Sequence, residues 1–198
     1  MKKEGLILLA LVLVFGFVVL GCGSTSEIPL PTKQPEWVEI FKLSDYLDTL
    51  TVGETDRDVI FDTPFLADTG TDSNVTYEVK AGGLEVTVIS AWAGFDINNS
   101  AFNFIAGDTI EIKGTYTDST SRQVLLNLNH AGWKPLQGWN PSLDQDDPFE
   151  KEFELEAGDV ADIKAADPAA IRVRLNDPGA FIVEELIVSG MRLVPDEE

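Results

Sequence analysis

The sequence predicts an all-β domain, a sandwich or barrel, behind a short N-terminal leader. Three observations predict it. Apolar residues recur with period two in at least eight short segments. Gly, Pro, Asn and Asp punctuate the gaps between those segments. The strand–helix alternation that builds a doubly wound parallel sheet is missing.

In chain order, the leader comes first. Lys2 and Lys3 precede an unbroken apolar run of 15 residues, Leu6 to Leu20. That length suits a secretory hydrophobic region and is short for a membrane span. The run ends Val19-Leu20-Gly21-Cys22, which resembles a bacterial lipobox. The resemblance implies cleavage after residue 21, a lipid on Cys22, and residence in the cell envelope, at the outer membrane or cell surface. Residues 22–36 form the lipidated end and a linker in which Pro29, Pro31 and Pro35 favour extended chain. At about 3.1 Å per residue such a tether reaches roughly 40 Å.

The domain spans residues 37–195. Strands are expected near Val38–Leu43, Val59–Phe61 and Val75–Val79. Leu84–Ser90 sets Leu84, Val86 and Val88 against Glu85 and Thr87. Thr109–Tyr116 sets Ile110 and Ile112 against Glu111 and Lys113. In Gln123–Asn129, Val124, Leu126 and Leu128 share one face, and Gln123, Leu125, Asn127 and Asn129 the other. Glu150–Glu156 turns Phe153 and Leu155 inward. Ala170–Asn176 opposes Ile171, Val173 and Leu175 to Arg172 and Arg174. Phe181–Val188 follows. Side chains alternate between the faces of a strand, so each pattern names a core face and a solvent face. Only Asp159–Ala166, stopped before Pro168, reads as a helical turn.

Composition excludes several functions. The net charge is −20, from 34 acids against 14 Lys and Arg. Phosphates need basic side chains to neutralise them, so nucleic acid is not an expected partner. One His and one Cys cannot make a zinc cluster or an internal disulfide. The nucleophile elbow and the phosphate-binding glycine loop are both absent. A glycoside hydrolase needs only two carboxylates across a cleft, and an acidic chain leaves that reading open as a third choice. The main expectation is a protein that is not an enzyme.

Trp92-Ala93-Gly94-Phe95-Asp96-Ile97, then Gly107-Asp108 with Ile110, Ile112 and Gly114, then Phe181-Ile182-Val183-Glu184-Glu185 follow a familiar order. Over residues 75–195 the chain resembles carbohydrate-binding modules of the family 4, 9 and 22 type, which are galactose-binding-like jelly-roll β-sandwiches. The resemblance implies a jelly roll that binds a poly- or oligosaccharide without transforming it. It also implies a possible structural calcium, with Glu184 in the position of a ligand.

Sugar rings present apolar C–H faces and hydroxyl rims, so aromatic faces and amide side chains are the residue types to seek. The candidates are Trp92, Trp133 and Trp139, which lie in Gly-, Pro- and Asn-rich segments, with Asn127 and Asn129 on one strand face. Each has an ordinary reading beside the functional one: a loop Trp can plug the end of a sandwich, and a polar strand face can simply be solvated. Arg172 and Arg174 can clamp a sugar diol, or pair with neighbouring acids. The acidic run Asp144–Asp147 lacks an EF-hand pattern. The alternative is a protein-interaction or structural envelope lipoprotein on the same fold, with its Trp residues in the core or facing a protein.

Overall fold

A computed structural model describes residues 35–69, 73–118, 124–129, 134–166 and 168–193. The leader, Cys22, Gln123, His130 and Trp133 lie outside the described residues. A compact unit begins at Pro35.

Among the described residues eleven strands make two antiparallel sheets. The first contains β1 (Glu36–Lys42), β3 (Val75–Lys80), β4 (Gly83–Val88), β6 (Thr109–Tyr116), β9 (Pro148–Glu154) and β11 (Gly179–Arg192). Its order is β3-β4-β11-β6-β9. The long β11 pairs with β4 through residues 179–183 and with β1 through residues 187–192, so β4 and β1 share one edge of it end to end. The second contains β2 (Leu66–Asp68), β5 (Gly94–Asn98), β7 (Val124–Asn129), β8 (Ser142–Leu143) and β10 (Ala170–Leu175), in the order β2-β5-β10-β7-β8. The inner faces of both sheets fill one hydrophobic core. This is the all-β sandwich that the period-two segments predict.

The alternation is obeyed where it is clearest. Leu84, Val86 and Val88 are buried, as are Ile110, Ile112, Leu126, Leu128, Ile171, Val173 and Leu175. Phe41, Phe65, Phe102 and Phe104 close part of the core with ring centroids 5.0–5.1 Å apart in successive pairs. Asp108, almost wholly buried, takes both ends of the Arg192 guanidinium at 2.8 and 2.9 Å and the amide of Ile105 at 3.0 Å. That clamp ties the entry of β6 to the end of β11, so the Gly107-Asp108 pair has a structural role.

Two sequence expectations need correction. Val59–Phe61 is not a strand. Arg57–Ile60 is a helical turn, α2, following α1 (Leu43–Leu47). Asp56 caps it by accepting from the amide of Asp58 at 3.0 Å, and the Tyr46 hydroxyl donates to the carbonyl of Ile60 at 2.9 Å. Nor is the helix near residue 160 alone: α3 (Asn99–Phe102) precedes it, and it spans Ala157–Ala165 as α4. Turns of four or five residues show no helical periodicity, so a pattern search passes over them.

Candidate functional site

The outer face of the second sheet gathers the chemistry. Inward residues of β5 and β10 alternate with outward Gly94, Asp96, Arg172 and Arg174. Their register stacks them in rows. Asp96 lies opposite Arg172, and Arg172 opposite Asn129. Gly94 lies opposite Arg174, and Arg174 opposite Asn127. Directly opposed residues share a face, so β7 brings the Asn127 and Asn129 positions to the side that holds both arginines.

Asp96 is 3% exposed and accepts two bonds from Arg172, Nε to Oδ1 at 2.7 Å and Nη2 to Oδ2 at 2.9 Å. This is the planar fork that guanidinium makes with carboxylate. The bond to Asp96 holds the Arg172 pKa above its ordinary value, against the opposing effect of burial. Arg174 is 5% exposed, and its guanidinium carbon lies 4.5 Å from the centre of the Trp92 ring. Burial, and then the like charge of Arg172, push its pKa down to about 10. It therefore stays charged at neutral pH.

Trp92 is the exposed member, at 52%. Its φ is +69°, in the left-handed region that bulky side chains avoid. Its amide donates to the carbonyl of Leu175 at 2.9 Å, extending the β5–β10 ladder by one bond. The strained turn and that bond hold the indole over Arg174. One ring face meets the guanidinium, and half of the residue remains open to solvent.

Close strand approach supports the platform. A Cβ on Gly94 would collide with the carbonyl of Val173 and the Cα of Arg174. The Gly94 carbonyl accepts from both the Tyr77 hydroxyl and Thr69 Oγ1 at 2.6 Å. The single Tyr77 hydroxyl hydrogen is shared between that carbonyl and Oδ1 of Asp68, whose other oxygen pairs with Arg57. Burial, followed by the bond to Asp68, raises the Tyr77 pKa, so the phenol stays protonated.

Of the residues singled out in the sequence, Trp92 and the backbone positions of Asn127 and Asn129 lie on this face. Trp133 is outside the described residues. Trp139 is half-buried and meets Phe153 of β9 edge-on, with centroids 5.6 Å apart at 84°. Its preceding turn is pinned by Gln137, whose amide donates to the carbonyl of Glu154 at 2.7 Å and to Asp159 at 3.1 Å. Glu184 lies exposed at a bulge in β11, where Thr115 Oγ1 donates to it at 2.9 Å. Calcium takes six to eight oxygens. Among the described residues no group of three or more Asp, Glu, His or Cys side chains is placed to hold a metal ion. In the acidic run, Asp147 accepts from the amide of Asp144 at 2.8 Å and so caps its own loop. The residue whose role in the site went unassigned is Asp96. It stands in the Trp92–Ile97 motif, yet only the β5–β10 register shows that it orients Arg172.

No family model matches the chain, and no curated protein matches it. Among solved structures it is similar to the C-terminal family 22 carbohydrate-binding module of Clostridium thermocellum Xyn10B. The identity is 13% and the TM-score 0.44, over 73% of this chain and 96% of that one. It is also similar to the xylan-binding module CBM15, at 9% identity and TM-score 0.43, over 83% and 100%. A family 29 carbohydrate-binding module from Piromyces equi matches at 15% identity and TM-score 0.34, over 79% and 91%. What this chain binds is decided by the side chains on its own sheets.

Proposed function

We infer that this protein binds a poly- or oligosaccharide, without transforming it, on the outer face of the second sheet. One observation carries the reading: the half-exposed Trp92 ring is fixed over Arg174 beside the Asp96–Arg172 fork. An aromatic face stacks on the apolar side of a sugar ring, and guanidinium and amide groups bond its hydroxyls. Rigid placement lowers the ordering cost of binding. A hydrolase would need a second carboxylate about 5–10 Å from the first. Among the described strand residues of this face Asp96 is the sole carboxylate, and both its oxygens are engaged by Arg172.

The test is a fluorescence titration of the full chain with soluble glucans, xylans, mannans and galactans, with and without calcium. A saturable shift with one polymer, lost in Trp92→Ala, is expected. A folded chain that responds to none of them overturns the reading.

The lipobox-like end supports a further part of the proposal, a lipid anchor on Cys22 that holds the domain at the cell surface, where polymers arrive. Cys22→Ala should abolish incorporation of labelled palmitate and release the protein from membranes. A second reading, a protein-binding lipoprotein, is favoured by one observation: Trp37 and Met191 are paired across β1 and β11 and are 54% and 44% exposed. Loss of binding to a protein partner in Trp37→Ser, with sugar binding unchanged, would separate the two.

A further inference from the structure

The outer face of the first sheet has an apolar end and an acidic body. Trp37 lies opposite Met191 in the β1–β11 register, and Leu193 follows at the end of β11. The three are 54%, 44% and 67% exposed. Beyond them the registers of β1, β11, β6 and β9 bring Glu39, Glu111, Glu150, Glu152, Glu154 and Glu185 to the same face, with Lys42 and Lys113 among them. Glu39 is two residues from Trp37 on β1, about 7 Å along the strand. Glu111 holds its proton more tightly than an ordinary carboxyl, first through burial and then through the charges of Glu185, Glu152 and Glu150. From Glu185 to Met191 the face runs about 20 Å along β11, and about 14 Å across the four strands. That extent suits a small, transient interface.

We propose that this face docks a basic protein surface, one whose arginines and lysines surround an apolar centre seated on Trp37 and Met191; this rests on the protein-binding reading and gives that partner a chemical class.

Charge selects the occupant. A second copy docked face to face would set the same glutamates against one another, and like charges across an interface are unfavourable. An anionic lipid surface is repelled for the same reason. A basic partner reverses the sign. Its guanidinium groups fork onto carboxylates, and an exposed indole takes a cation over its ring. Its charge also relieves the repulsion gathered around Glu111. Its apolar centre removes Trp37, Met191 and Leu193 from water, which charge alone leaves exposed. Attraction between opposite charges steers encounter and weakens as salt screens it. The sugar face lies on the other sheet, so one partner does not displace the other.

The test titrates the full chain with three synthetic peptides of equal length, in which Arg alternates with Leu, Arg with Ser, and Glu with Leu. At about 50 mM salt the Arg–Leu peptide should bind about tenfold more tightly than either of the others, and at about 500 mM it should weaken. Trp37→Ser should weaken it about tenfold, with the thermal midpoint and the polysaccharide titration unchanged. Hydrogen exchange on the wild-type chain needs no variant: the peptide should protect β1 and the end of β11, not β5 and β10. Protection on β5 and β10 instead overturns the site. Arg–Ser binding as tight as Arg–Leu reduces the effect to charge alone and overturns the docking surface. Glu–Leu binding as tight overturns the basic class and leaves an apolar protein-binding patch. Failure of a folded chain to bind any of the three overturns the class and the protein-binding reading together, while sugar binding is judged by its own titration. Attachment to vesicles of phosphatidylcholine and phosphatidylglycerol, or a dimer in solution, that is lost in Trp37→Ser without any preference for Arg–Leu assigns the face to a membrane or to a second copy and overturns the proposal.

Discussion

Trp92 combines an unfavourable backbone with a favourable ring contact. A bulky residue at φ +69° costs roughly 1–3 kcal/mol. A partly desolvated cation–π contact returns about 1–2 kcal/mol. The two nearly cancel, so the indole adds little to stability and is free to serve binding. Trp92→Gly relieves the strain and loses the stack together. We expect its thermal midpoint to stay within a few degrees of wild type while sugar titration goes flat. A large fall in the midpoint would make Trp92 a structural residue. Asp96 is the opposite case. Removing one partner of a buried ion pair costs about 3–5 kcal/mol. The Arg172 side chain is 21% exposed, so solvent recovers part of that charge. Asp96→Asn should therefore lower stability by about 2 kcal/mol, read as a lower urea midpoint, and weaken binding by loosening Arg172.

Among the elements, the β5–β10 ladder holds the site together. It pairs Gly94 with Arg174 and Asp96 with Arg172, and it continues into the Trp92 amide. Gly94 is needed there because a side chain would strike the neighbouring backbone. Gly94→Ala should cost about 3 kcal/mol by forcing the strands apart. It should also shift Trp92 fluorescence in the unliganded protein; an unchanged spectrum and midpoint would show that the ladder tolerates the methyl. The sequence marks β10 and β7 clearly by alternation. It hides β5, because Gly94-Phe95-Asp96-Ile97-Asn98 is short and interrupted by glycine at its start. It misreads α2, because all three residues Val59–Phe61 are apolar while the deciding contacts come from Asp56 and Tyr46.

Across the whole molecule, charge sets the conditions. Glu111 on the first sheet has its pKa raised by burial and then by Glu185, Glu152 and Glu150. A carboxyl that binds its proton more tightly when folded adds stability below its unfolded pKa, and loses that contribution as pH rises through the folded value. Glu111→Gln should therefore be more stable than wild type at pH 7, by differential scanning calorimetry, with the advantage vanishing as pH falls below the ordinary carboxylate range near 4.5. An advantage independent of pH would remove the electrostatic cause. Added salt should likewise raise the midpoint of the wild type, because it screens the self-repulsion of a −20 chain.

The amino-acid sequence carries the all-β class, the strands with clear alternation, the face each residue takes within them, and the net charge of −20. These are local properties: period two follows from backbone geometry, and charge is a sum over residues. It also named Trp92, Asn127 and Asn129 as candidates by residue type. The tertiary structure alone decided which candidates meet. Asp96 and Arg172 are 76 residues apart in the chain, and only strand pairing joins them. Trp92 and Trp139 look alike in sequence, each within two residues of a glycine in a loop-like segment. One is held open over Arg174, and the other is turned edge-on against Phe153. Each outcome follows from backbone angle and from neighbours supplied by distant strands, and neither is encoded in the flanking residues.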